Sequence, residues 1–288
     1  MPRTAQVLEL SELMNAAQIF RESIRLVLLH PTHFHSISIF LFSPIPISLF
    51  ISHFLIHHFP QLPTSTIEFT DRLLGYPLPK LLSKSIVRII VCFPSSITFS
   101  LLGRAATVQA VSNIYKGINF DGRRLFMRSG SAWIKLLHTS FCEFVILFSL
   151  FGVVVACLAL IPMILLGIDS KMLGILGVVG CLGVPFCVAF VHVMVVGNLA
   201  KVVSVLEVEC YGFESLWKAK SLIEQRPQTA LVMALLSNTG LGLVECLFEF
   251  RVCNGISLWE GPVLISMYAS VLVFDTLMNA VFYYACKP

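Results

Sequence analysis

The chain has 288 residues, 57% of them hydrophobic and 12% charged, where an ordinary soluble domain carries about 25% charged residues. A soluble domain of this length has no interior large enough for so much apolar surface. With a mean hydropathy of +0.86, disordered, collagen-like and secreted disulfide-scaffold architectures are excluded in favour of a chain dissolved in a bilayer. The formal net charge of +4, scattered over short segments, is too small for a nucleic-acid footprint.

The composition predicts an all-α polytopic membrane protein, a single membrane domain over residues 1–288. A hydrocarbon layer about 30 Å thick needs roughly 20 apolar residues of helix, and six such windows occur. Before the first, residues 7–28 place Val7, Leu10, Met14, Ala17, Ile24 and Leu28 at three- and four-residue steps, with Glu12, Asn15, Gln18, Glu22 and Arg25 on other faces. This is the pattern of a helix lying in the interface. Residues 1–35 hold no unbroken apolar core, so no cleaved signal is expected there, and the first span is expected to act as a retained insertion signal. The first span is placed at 36–58. The segment 59–85 follows, with Pro60, Pro63, Pro77 and Pro79 arguing against regular structure.

The second span is placed at 86–110, bracketed by Arg88 and Arg104. A second amphipathic segment, 117–135, carries Arg123, Arg124 and Arg128 beside Phe126 and Trp133, a composition suited to anionic lipid head groups. The third and fourth spans are placed at 137–167 and 172–200. A third amphipathic segment, 213–226, ends at Arg226-Pro227, a natural helix stop. The last spans are placed at 229–250 and 262–286. Amphipathic segment, span, span thus recurs three times. Tyr115-Lys116-Gly117 and Tyr211-Gly212 lie about one unit apart, which predicts a threefold architectural repeat.

Assigning each Lys and Arg to a loop, its flank or a terminal segment puts fourteen on the side of the termini and six on the other. Cationic segments resist translocation, so both termini are expected in the cytosol, of an endomembrane or the plasma membrane.

Ionisable residues within spans are the strongest candidates for function, because a bare charge in hydrocarbon costs several kcal/mol. Asp275 lies near the middle of the sixth span with Asn279 one turn on, Glu245 and Glu249 share a face of the fifth, Glu143 opens the third and His192 lies deep in the fourth. A desolvated carboxylate gains proton affinity unless a cation offsets it, so Asp275 can relay a proton, bind a cation or serve as hydrogen-bonded glue between helices. Prolines at 44, 46, 94, 162 and 185 can open a pathway or simply bend a packing surface. Gly174, Gly177, Gly180 and Gly183, at every third position, mark close helix approach, with a hinge or homodimer seam as alternatives.

His53 and His57 are one turn apart, but no carboxylate or cysteine nearby completes a metal set, and no cofactor is expected. Most of the nine cysteines lie in apolar runs and read as small hydrophobes. Cys286 is a juxtamembrane candidate for acylation, with an unmodified thiol as the plainer reading. No phosphate-cradling loop, nucleophile elbow or HExxH is present, so no catalytic residue is expected.

The amphipathic start, His-Pro-x-x-Phe at 30–34, the proline-broken first span and Glu-x-Glu-Cys-Tyr-Gly-Phe-Glu-Ser-Leu at 207–216 together resemble an uncharacterised plant family of six-span membrane proteins. Some of its members carry a label referring to binding of a poly(A)-binding protein. Over about 199–226 and in 105–135 the chain is more distantly similar to the membrane domain of bacterial glycerophosphodiester phosphodiesterases, whose catalytic domain has no counterpart here. The resemblance implies an integral membrane protein without established activity and supplies no site residues. The expected function is a non-enzymatic organiser of lipid or partner proteins through a basic cytosolic face, with membrane lipids and a cytosolic protein partner or homo-oligomer as the expected partners. The alternative is a transporter or channel in which Asp275, Glu245 and His192 converge.

Overall fold

The computed structural model describes residues 16–58, 78–118, 122–165, 171–207, 209–253 and 259–287. Every regular element among them is helical. In chain order these are α1 (Ala16–Leu29), α2 (Pro31–Ile37), a π-helical turn (Ser38–Phe42), α3 (Pro44–His58), α4 (Leu78–Lys116), α5 (Gly122–Leu165), α6 (Lys171–Leu206), α7 (Phe213–Gln225), α8 (Pro227–Cys253) and α9 (Glu260–Cys286). Among the described residues five stretches are long and apolar enough to cross a membrane: Pro31–Ser52, Met127–Cys157, Leu182–Leu206, Pro227–Arg251 and Glu260–Cys286. With the composition, they make the chain an integral membrane protein.

Several elements differ from the sequence expectation for local reasons. Pro79 does not break structure: it stands in the first turn of α4, where its missing N–H has no helical partner to lose. Residues 122–135 are not a separate segment but the opening turns of the 44-residue α5. Ser129, Ala132, Leu136, Thr139 and Glu143 are buried at three- and four-residue steps, so one packing seam runs unbroken through the boundary expected near 136. The interfacial helix expected at 7–28 is helical from Ala16, burying Ile19, Ser23 and Leu26 and exposing Arg21 and Arg25; residues 7–15 lie outside the described residues. Helix α7 matches the predicted 213–226 within a residue.

The π turn has a traceable origin. Pro44 and Pro46 have no N–H to give the preceding turn, so the i→i−4 ladder fails there. The Ser43 N–H instead reaches back to Ser38 O at 3.0 Å, and the Ser43 hydroxyl donates to Ile39 O. One residue is thereby added to the turn.

The chain forms two compact units. One comprises Phe20–Trp133 and Leu235–Met278; the other comprises Ile134–Ala234 and Asn279–Pro288 with the chain start up to Ile19. In the first, the π turn and α3 pack on α4. The Phe42 ring lies so close to Gly103 that a Cβ there would stand 2.7 Å from it, and the Ser95 hydroxyl donates to Ser48 at 2.8 Å. Ala105, Val108, Ala110 and Val111 of α4 are fully buried, as are Leu277 and Met278 of α9. In the second unit, α7 lays Leu216, Ala219, Leu222 and Ile223 inward, and Leu199, Ala200 and Val203 of α6 are buried.

Burial is uneven along the helices. After Glu143 no described residue of α5 is buried, and Phe144, Phe148 and Phe151 are all more than half exposed. Contiguous apolar surface of this kind is tolerable only in hydrocarbon or against another chain.

Candidate functional site

Asp275 is the deepest acid described, 2% exposed on α9. Both of its carboxylate oxygens are engaged within one unit: the Ser237 hydroxyl of α8 donates to Oδ1, and the Arg104 guanidinium of α4 lies 3.4 Å from Oδ2. Arg104 is itself mostly buried. The cluster ties three helices and converts an unaffordable lone charge into a hydrogen-bonded ion pair. Asn279, one turn along α9, is half-buried.

The second unit contains an analogous pair. Lys201 Nζ of α6 stands 2.7 Å from Glu143 Oε2 of α5, with both side chains largely withdrawn from the surface. Gly197, one turn before Lys201, makes room for the carboxylate: a Cβ there would stand 2.2 Å from Glu143 Oε1.

A third cluster in that unit closes the end of α6. Glu207, just past the helix, accepts from Lys218 of α7 at 2.5 Å and from the Tyr283 hydroxyl of α9 at 2.8 Å, and Lys287 donates to the same hydroxyl at 3.1 Å. Burial by itself would raise the Glu207 carboxyl; hydrogen bonds from Lys218, Tyr283 and Cys210, with the Lys218 charge, outweigh it and hold the group below the usual carboxylate range. The Glu207 hydrogen bond and charge push the Lys218 ammonium up against a smaller desolvation effect. Cys210 is raised first by its hydrogen bond to Glu207 and then by burial, so its thiol stays protonated and is no nucleophile at neutral pH.

Beside this cluster the 207–216 motif has a mechanical explanation. Gly212 has φ +66°, a left-handed turn that other residues adopt only with strain. Its N–H donates to Thr139 Oγ1 at 3.0 Å, while the Ser215 hydroxyl donates to Gly212 O at 2.7 Å. Tyr211 meets the His138 ring edge-on at 5.8 Å. The motif is thus a joint that turns the chain from α6 into α7 and anchors the turn on α5. Gly117, after α4, repeats the left-handed conformation with φ +65°.

Glu245 is exposed on α8, in the same unit as Asp275, and His192 is exposed on α6, in the other unit. Arg128 is exposed on α5; the side chains of Arg123 and Arg124 in its first turns lie outside those described. Gly183 has open space where a Cβ would go, and the surroundings of Gly174, Gly177 and Gly180 lie outside those described; among the described residues the glycines in tight contact are Gly103, Gly197 and Gly212. Cys286 is buried. Among the described residues no group of three or more His, Cys, Asp or Glu is arranged to hold a metal ion. The side chains of His53 and His57 lie outside those described.

Sequence reasoning missed Arg104, Lys201 and Glu207 as partners. Arg104 stood as the edge of a span and Lys201 as a loop cation, whereas α4 and α6 continue past both.

No curated protein and no solved structure matches the chain. Residues 6–288 match the family described as Domain of unknown function (DUF8558). With a match over nearly its whole length, the chain belongs to the DUF8558 family.

Proposed function

We propose that this protein is a non-enzymatic, six-span organiser of membrane lipids that acts through its basic cytosolic segments, with both termini in the cytosol. The 86–110 stretch of α4 joins the five stretches named above as the second of the six spans. The observation that carries the reading is the state of Asp275: with Oδ1 engaged by Ser237 and Oδ2 by Arg104, the acid best placed to move a proton or cation serves as a brace between helices. Glu245 and His192, which a transporter would use with it, are exposed on α8 and α6.

Exposed cations and aromatic rings stand near the span ends: Arg25 and Lys116 are exposed, as is Arg128 at the start of the Met127–Cys157 stretch. On α7, which also exposes Glu214 and Glu224, the exposed Phe213 and Trp217 share a face with Lys220, whose ammonium lies 5.7 Å from the Trp217 ring. Aromatic rings beside Lys and Arg suit the head-group layer of an anionic leaflet.

The test is lipid demixing in reconstituted vesicles of phosphatidylcholine with a minority of fluorescent phosphatidylserine. Wild type is expected to concentrate the label at low salt and to lose the effect as salt rises. The Arg123→Gln, Arg124→Gln, Arg128→Gln triple variant is expected to concentrate it less. Equal enrichment by variant and wild type at low salt overturns the reading, as does a proton or solute flux that Asp275→Asn abolishes.

A further inference from the structure

A groove of about 460 Å³ opens in the unit made of Phe20–Trp133 and Leu235–Met278. Its walls come from α1, α2, the π turn and α9: Val27, Phe34, Val271 and Phe274 are apolar, while His35 and Ser38 supply polar groups. We infer that this groove is a binding site for one acyl chain of a bilayer glycerophospholipid, with His35 and Ser38 facing the ester region of the same molecule.

Three observations carry the assignment. The volume is that of a ligand site, within the usual range of about 300–1,000 Å³, and its mostly apolar lining suits a hydrocarbon occupant. Phe34, Ser38, Val271 and Phe274 lie within Pro31–Ser52 and Glu260–Cys286, two stretches long and apolar enough to cross a membrane, so the groove is offered to a bilayer component and not to a soluble partner. The residues around the groove continue the same chemistry, since Leu28, Leu29, Phe40 and Met267 are exposed, so the medium in contact with the opening is lipid.

The groove is built into the fold. The Phe274 ring is held edge-on by Phe20 at 5.4 Å, Phe34 is almost fully buried, and Ser38 begins the π turn. A single inserted turn of this type recurs at functional sites because it re-aims a helix face. The inference rests on the membrane reading and adds to it one defined lipid position.

The experiment uses the full chain in nanodiscs containing phosphatidylcholine with a diazirine on its acyl chain. After irradiation, labelled peptides are mapped by mass spectrometry. Label concentrated on residues 27–38 and 270–274 is expected, with loss of that label in Val271→Trp and, from the opposite wall, in Val27→Trp. Labelling elsewhere on the spans is expected to stay unchanged. Because the wild-type map needs no variant, a folding defect in either substitution leaves the test intact. Label spread evenly over the exposed apolar surface overturns the inference, as does retention of groove label in both Trp variants or cross-linking of this face to a second copy of the chain. In each of these outcomes a protein that still inserts in the nanodisc and still enriches phosphatidylserine leaves the proposed function standing.

Discussion

Lys201 and Glu143 meet at 2.7 Å in an almost dry part of the fold, and they can do so because position 197, one turn from the lysine, has no side chain. The carboxylate occupies the volume that a Cβ would need. Helix α6 thereby offers both the cation and the space.

Gly197→Ala is accordingly expected to push the carboxylate away from Lys201 and to destabilise the protein by about 1–3 kcal/mol, the usual range for overpacking. Gly183→Ala on the same helix, with nothing within 4 Å, is expected to be neutral. Thermal unfolding in detergent, followed by helical circular dichroism, compares the two. Equal midpoints for both variants contradict the assigned contact.

Asp275→Ala leaves Arg104 buried without its counter-ion, and removal of one partner of a buried pair typically costs about 3–5 kcal/mol. The Arg104→Ala, Asp275→Ala double variant is expected to cost less than the sum of the single losses, as neighbours sharing one interaction do. Ser237→Ala removes one hydrogen bond to a charged group and is expected to cost about 1–3 kcal/mol. Strict additivity in the double variant rules out the pair.

At Gly212 two costs are superimposed. The left-handed conformation costs a non-glycine residue about 1–3 kcal/mol, and a Cβ would also stand 2.5 Å from His138 Nδ1. Gly212→Ala should be milder in a His138→Ala background, but still below the stability of that background alone. Full recovery in the double variant refutes the conformational part.

Stability should depend on pH through the Glu207 cluster, and the two partners act at opposite ends of the scale. The Glu207 carboxyl is lowered in the folded protein, so its stabilisation is present above its unfolded value and is lost as pH falls through the folded one. The Lys218 ammonium is raised, so its stabilisation is present below its unfolded value and is lost as pH rises through the folded one. Glu207→Gln should flatten the acid limb of the thermal midpoint against pH. An unchanged acid limb means that other carboxyls set it.

What could be read in the sequence was the presence of helices long enough to cross a bilayer, because length and hydropathy are local properties. Which face of such a helix packs on protein could not be read. Lipid and protein interior are equally apolar, so α6 and α8 show no clear amphipathic period to separate an inward His192 or Glu245 from an outward one. Asp275 was recognisable as costly where it stands, yet its partner lies 171 residues away, a pairing that only tertiary structure supplies. The continuity of α5 was hidden for another reason. The cations at 123–128 look like a segment boundary, although the buried seam from Ser129 to Glu143 ignores them. The isolated Gly103 and Gly197, where tight contacts occur, carry no pattern in the sequence.

The wide turn at Ser38–Phe42 holds one more residue than an ordinary helical turn would. A helix advances about 100° for each residue. Deleting a single residue from that stretch would therefore restore regular winding while rotating all that precedes it by more than a quarter circle. Phe34 and Phe42 could not then both keep their present neighbours. The surplus residue sets the phase between the two halves of this rod, and a variant one residue shorter here would exchange which side of the leading half meets the bilayer.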